Sequence, residues 1–109
     1  MLPDQVFVSY STQDTAVATE VRDGLEAADL ACWMAPRDIA PGQDYAEQII
    51  SAIEACSVLL LILSESSNQS QYVRNEVERA VAKRKLVIPL RIHNVVPSRS
   101  LEFFISNTQ

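Results

Sequence analysis

Residues 57–63 read SVLLLIL, and every position after the serine is apolar. A strand with one wet face alternates apolar and polar residues. A run that is apolar on both parities needs cover on both faces, which places it at the centre of a parallel sheet. The run is too short for a buried helix and far too short to span a bilayer. Its flanks carry a different period. Upstream, residues 44–56 (DYAEQIISAIEAC) open with Asp44 and Glu47 in a capping-box pattern and place Tyr45, Ile49, Ile50, Ile53 and Cys56 on an inner face, the spacing of a helix. Downstream, Ser70 can cap another helix whose inner stripe is Val73, Val77, Ala80 and Val81.

The same alternation extends outward. Residues 5–9 (QVFVS) form a short β-branched and aromatic run, bounded by Pro3-Asp4 and by the polar SYSTQD, and read as a first strand. Ser11 or Thr12 can cap the next helix, with Val17, Val21, Leu25 and Ala28 at helical spacing. Residues 30–34 (LACWM) are a second strand, followed by APRDIAPGQD at 35–44, whose prolines and glycine mark a loop too long for a simple turn. Residues 86–92 (LVIPLRI) read as a fourth strand in which Pro89 removes a ladder donor, so it is weak or lies at an edge. Residues 101–105 (LEFFI) read as a fifth. Strands alternating with helices in this way predict an α/β domain with right-handed crossovers and helices on both sheet faces. Since no helix follows Ile105, the expectation is one domain over residues 1–109 that lacks its last helix and forms the N-terminal part of a longer protein.

Bulk properties narrow the function. At 109 residues the chain holds one core without needing staples. A net charge of −5, with no Lys/Arg cluster to offset it, argues against nucleic-acid binding. Cys32 and Cys56 lie among apolar residues and suit reduced core thiols in a cytoplasmic protein better than a disulfide or a metal site. Residues 1–8 lack the basic start and long apolar run of a signal peptide.

Ligands of open parallel sheets bind beyond the carboxyl ends of the strands. Here those ends are residues 9–14, 35–44 and 64–70, all rich in hydroxyls, amides and charges. Glu76 falls at the same end, about 9 Å from the start of its helix and roughly 85° from the centre of the apolar stripe, on the helix shoulder. Tyr72 is one turn before it and faces the same way. The pair is either an aromatic shelf beside a working carboxylate or a boundary glutamate with a tyrosine over the core; spacing does not decide between these. Trp33 suits a core position or a stacking surface equally. Arg37 and Asp38 either pair with each other or bind a phosphate. His93 follows a strand with no partner in sequence and suits a surface role. A phosphoacceptor receiver domain is excluded, because Ser9-Tyr10-Ser11 and Ser64-Glu65 occupy the places of its paired acids and its aspartate. A flavin phosphate loop is a weak match to STQDT, and a GxGxxG fingerprint is absent from a chain with two glycines.

Four blocks, VFVSYSTQD, CWMAPRDIAPGQDY, SVLLLILSESSNQSQYVRNEVERA and IPLRI, occur in the order and at the spacing of a Toll/interleukin-1 receptor (TIR) domain of the bacterial, NAD+-cleaving type, which the chain resembles from Val6 to Ile105. The resemblance implies a flavodoxin-like, doubly wound parallel sheet. It implies an NAD+ glycohydrolase or ADP-ribosyl cyclase that cuts the nicotinamide–ribose bond, using NAD+ as substrate and no cofactor or metal. It carries the family glutamate onto Glu76 and the aromatic position before it, usually Trp, onto Tyr72. Ser9, Tyr10, Trp33, Arg37 and Asp38 fall at the surroundings of the same pocket, and residues 35–44 correspond to the mobile loop that covers it and touches neighbouring TIR domains. The implied partners are other TIR domains in a homo-oligomer or filament, with activation by assembly in cytoplasmic anti-phage defence. The alternative reading is a non-catalytic adaptor signalling through TIR–TIR contacts.

Overall fold

The computed structural model describes residues 5–92 and 97–106, so His93 lies outside the described residues. In chain order the elements are β1 (Gln5–Ser9), a 3-10 turn (Thr12–Asp14), α1 (Thr15–Ala27), β2 (Ala31–Trp33), α2 (Tyr45–Ala55), β3 (Val58–Leu63), α3 (Glu65–Asn68), α4 (Gln71–Ala82), β4 (Leu86–Arg91) and α5 (Arg99–Ser106). The strands form one parallel sheet in the order β2-β1-β3-β4. β3 is interior, as its uniform apolarity requires. Its side chains nevertheless divide by parity. Leu59, Leu61 and Leu63 join Phe7 and the inner faces of α2, α4 and α5, whereas Leu60 and Ile62 join Val8, Cys32 and α1. Helices therefore cover both faces, and the two cysteines are free and buried in separate clusters.

Caps fix where the helices start. Asp44 accepts from the Glu47 amide and Ser70 from the Val73 amide, as their spacing foretold. Ser11 caps the 3-10 turn rather than α1, whose own N-cap, Asp14, makes no capping bond. Residues 64–70, expected as a plain loop, contain the single turn α3, closed by a reciprocal Ser64/Ser67 capping box. α1 and α4 end with Asp29 and Arg84 in the left-handed region, at φ 68° and 61°. The Leu30 and Lys85 amides there reach back to the carbonyls of Leu25 and Ala80.

The expected fifth strand is overturned. Residues 101–105 lie in α5, which packs on α4 and β4, with Leu101 and Ile105 buried in the core and Phe103 outside it. Leu101, Phe104 and Ile105 recur at helical spacing, and the Ser98 hydroxyl accepts from the Leu101 amide at 3.3 Å as a helix cap. β4 is thus the last strand among the described residues, and Pro89 sits in an edge strand. Among the described residues, β4 is followed by the helix α5.

This order sets the position of the site. β2 lies on one side of β1 and β3 on the other, so the strand order reverses between β1 and β3, and the crevice opens at their carboxyl ends.

Candidate active site

The residue that closes β1 is Ser9. It lies two positions after Phe7 on the same face of the strand, and that face is covered by α2 and α4. In the helix layer over that face it meets Glu76, in the second turn of α4. The Ser9 hydroxyl donates to Glu76 Oε1 at 2.7 Å. Glu76 is half-buried, the shoulder position that its angle from the stripe predicts. Burial pushes its carboxyl up to about 7, and the hydrogen bond from Ser9 opposes that shift without cancelling it.

Glu76 opens into a cleft of about 290 Å³, walled by Tyr10, Ser11 and Thr12 from the β1 loop, by Ala35 from the loop after β2, by Tyr45 and Ile49 from α2, and by Ser70 and Tyr72 at the start of α4. It is the one carboxylate among the residues lining this cleft. Tyr72 is 65 % exposed and Tyr45 46 %, so both offer ring surface to a ligand at little further cost. The Tyr10 hydroxyl donates to the Ala35 carbonyl, tying the first loop to the start of the second. Burial pushes the Tyr10 phenol up, helped by Tyr45 and Glu76 and opposed by Arg22. A shallower, mostly apolar groove between α2 and α4 shares Ile49, Tyr72 and Glu76 with the cleft.

A second polar cluster braces the crevice. The Ser64 hydroxyl donates to Asp14 Oδ2, and all three of Asp14, Ser64 and Ser67 are buried. This joins the end of β3 to the turn after β1, across the point where the strand order reverses.

The structure therefore brings together Glu76, Ser9, Tyr10 and Tyr72. It places the other sequence candidates elsewhere. Trp33 stacks on Phe7, with ring centroids 5.2 Å apart and planes 12° from parallel, and lines a separate groove with Asp44, Glu47 and Ser51 instead of the cleft. Arg37 is a clamp. Its guanidinium bonds both Glu26 oxygens at 2.9 and 2.8 Å, Asp38 at 2.8 Å and the Cys32 carbonyl at 2.9 Å. Asp38 also accepts from the Met34 amide at 2.9 Å. Neither residue lines the cleft; together they pin the first half of loop 35–44 to the end of α1. Those hydrogen bonds raise the Arg37 guanidinium further and hold Glu26 below the usual carboxylate range. Sequence reasoning put Tyr45 on the inner face of its helix. It instead stands at the first turn, beyond the end of the sheet, and lines the cleft. Its place directly after the Asp44 cap is the signal for that, since a first-turn residue overhangs the strand ends.

A profile of the TIR domain family matches residues 6–108. The chain belongs to the TIR domain family. A probable 2′ cyclic ADP-D-ribose synthase, BdTIR of Brachypodium distachyon, is 33 % identical over 96 residues, covering 86 % of this chain and 42 % of that protein. The stimulator of interferon genes protein of Magallana gigas is 32 % identical over 76 residues, 69 % of this chain and 18 % of its own length. The chain thus spans less than half of either curated relative. The crystal structure of the TIR domain of the Toll-related receptor TRR-2 from Hydra magnipapillata superposes with a TM-score of 0.79 at 21 % identity, covering 89 % of this chain and 77 % of that one. The last likeness shows the fold, a flavodoxin-like parallel sheet with its helices. No helix among the described residues is long and apolar enough to cross a membrane.

Proposed function

We propose that this TIR domain cleaves the nicotinamide–ribose bond of NAD+, releasing nicotinamide together with ADP-ribose or a cyclic ADP-ribose-type product. The observation that carries the reading is Glu76: a single carboxylate held by a buried serine at the floor of a cleft walled by tyrosines. The similarity to the Brachypodium synthase supports it.

The reaction suits so spare a site. The bond from ribose C1′ to the pyridinium nitrogen breaks with its electron pair going to nitrogen, so nicotinamide leaves neutral and needs no general acid. Positive charge develops on C1′ and the ring oxygen. A carboxylate beside them stabilises that charge far better in a partly dry cleft than in water. It also accepts hydrogen bonds from the ribose hydroxyls. Water, losing its proton to solvent, or an adenine nitrogen of the same molecule then bonds C1′. Tyr72 and Tyr45 offer faces on which a cationic ring can rest. Glu76 near pH 7 is only partly ionised in the free protein, and an incoming pyridinium favours the charged form. Ser9, Tyr10, Trp33, Arg37 and Asp38 serve the site at different removes: Tyr10 as wall, Ser9 behind Glu76, Arg37 and Asp38 through the placement of loop 35–44, and Trp33 through its stack on Phe7.

Contacts between TIR domains, a homo-oligomer or filament using loop 35–44, would complete the cleft mouth and raise activity. The test is NAD+ consumption by the protein at rising concentration and under crowding, with products separated by chromatography, alongside E76Q. Loss of NAD+ that E76Q leaves undiminished refutes the role of Glu76. No loss even from concentrated, crowded wild type favours an adaptor that works only by TIR–TIR contact.

A further inference from the structure

Ser9 has no exposed surface and does not line the cleft, yet its hydroxyl is within 2.7 Å of the one carboxylate that does. In that position its hydroxyl is turned to Glu76 and presents no surface to a ligand. We propose that Ser9 is a positioning residue, not a substrate contact: its buried hydroxyl holds the Glu76 carboxylate in one orientation toward the cleft and keeps it available as an anion. This rests on the reading of Glu76 as the residue that faces the ribose.

Glu76 leaves α4 on the shoulder, where a glutamate has rotamers pointing along the α2–α4 groove as well as into the cleft. Ser9 sits at the carboxyl end of β1, fixed by the ladder to β3 through its partner Leu61. A strand-borne hydroxyl therefore sets one end of the hydrogen bond rigidly, and the glutamate must come to it. A hydroxyl that donates to a carboxylate also favours its ionised form, against the burial that disfavours it. The other titratable groups that line the cleft with Glu76 are phenols, Tyr10 from the β1 loop, Tyr45 from α2 and Tyr72 from its own helix, while Glu78 and Arg79 of α4 line the groove it shares. Arg22 lies beyond Tyr10, and Arg79 of α4 is engaged with Glu54 at the exposed end of the groove. Neither guanidinium donates to Glu76 among the hydrogen bonds described, so Ser9 supplies the donor.

The experiment follows the Glu76 side-chain carboxyl by carbon-13 NMR through a pH titration, its resonance identified by its loss in E76Q. Wild type titrates near neutrality. In S9A the carboxyl becomes roughly tenfold less acidic, the size expected for losing a hydrogen bond to a charged acceptor. S9C, with a weak donor of similar volume, shifts the same way but less, and decides the point if S9A does not fold. With NAD+, S9A lowers kcat at neutral pH about fivefold or more, recovers in part as the pH is raised, and leaves KM within about twofold. A titration in S9A or S9C that coincides with wild type in a folded protein overturns the proposal, as does a raised KM with kcat unchanged, the mark of a direct substrate contact. If wild type does not cleave NAD+, the proposed function fails, while the titration still decides whether Ser9 sets the state of Glu76.

Discussion

Replacing Glu76 by Gln changes stability and activity in opposite directions, and the pH dependence of each separates the causes. In the folded protein burial raises the Glu76 carboxyl to about 7, from an ordinary value of 4.5. The native state therefore holds this proton more tightly than the unfolded chain does. The sign follows from linkage: the contribution of the group is fully present below about pH 4.5, is lost as pH rises toward 7, and stays lost above. At about 1.4 kcal/mol per tenfold change in acidity, the full ionisation cost is at most about 3.5 kcal/mol. Glu76 is only half-buried and water enters the cleft, which reduces the figure to about 1–2 kcal/mol. Gln keeps the shape, still accepts from Ser9, and carries no charge. E76Q is thus expected to match wild type at pH 4.5 and to exceed it by about 1–2 kcal/mol at pH 8, a gain of roughly 4–10 °C in melting temperature. The measurement is a set of urea titrations or thermal melts of both proteins at several pH values. Carboxylates that respond the other way, such as Glu26 and Glu54, are present in both and cancel in the difference. NAD+ cleavage by wild type should rise with pH through about 7 and be lost in E76Q throughout, so the more stable protein is the inactive one. An E76Q curve parallel to wild type at every pH would refute the claim that burial strains this carboxylate. A wild-type activity that falls across the same interval would refute the claim that the anion is the working form.

Two further outcomes probe the frame around the cleft. Arg84 closes α4 at φ 61°, where a β-carbon crowds the next carbonyl, so R84G should stabilise the protein by about 0.5–1 kcal/mol in urea titrations and leave NAD+ cleavage unchanged. Arg37 pins loop 35–44 to α1 and the β2 carbonyl, so R37A should speed limited proteolysis within that loop far more than it lowers the melting temperature, with fragments sized by mass spectrometry.

What the sequence disclosed and what it withheld have a common physical origin. β3 was legible because two-sided burial leaves a mark on every residue, and Glu76 because a helix converts sequence number into angle. The run at residues 101–105 was misread because five residues with four apolar positions satisfy a strand as well as a helix; only the Ser98 cap three residues upstream separates them, and its value shows once the helix is seen. The TIR resemblance supplied a role for Glu76, yet grouped Trp33, Arg37 and Asp38 with Ser9 and Tyr10, whereas their side chains are spent on Phe7, Glu26 and the backbone of residues 32–34. The partner of Glu76 was the part least accessible to reading. Ser9 and Glu76 are 67 residues apart, and nothing in either segment names the other. Their meeting depends on strand order: β1 must lie beside β3, with its Phe7 face under α4, before a serine closing β1 can reach a glutamate on the helix shoulder. The site is therefore a consequence of topology more than of motif. A sequence with the same glutamate and aromatic at the same spacing, but without a hydroxyl at the end of its first strand, should bury a carboxylate there with no donor, and the cost of that unpaired group would fall on the ionised form the chemistry needs.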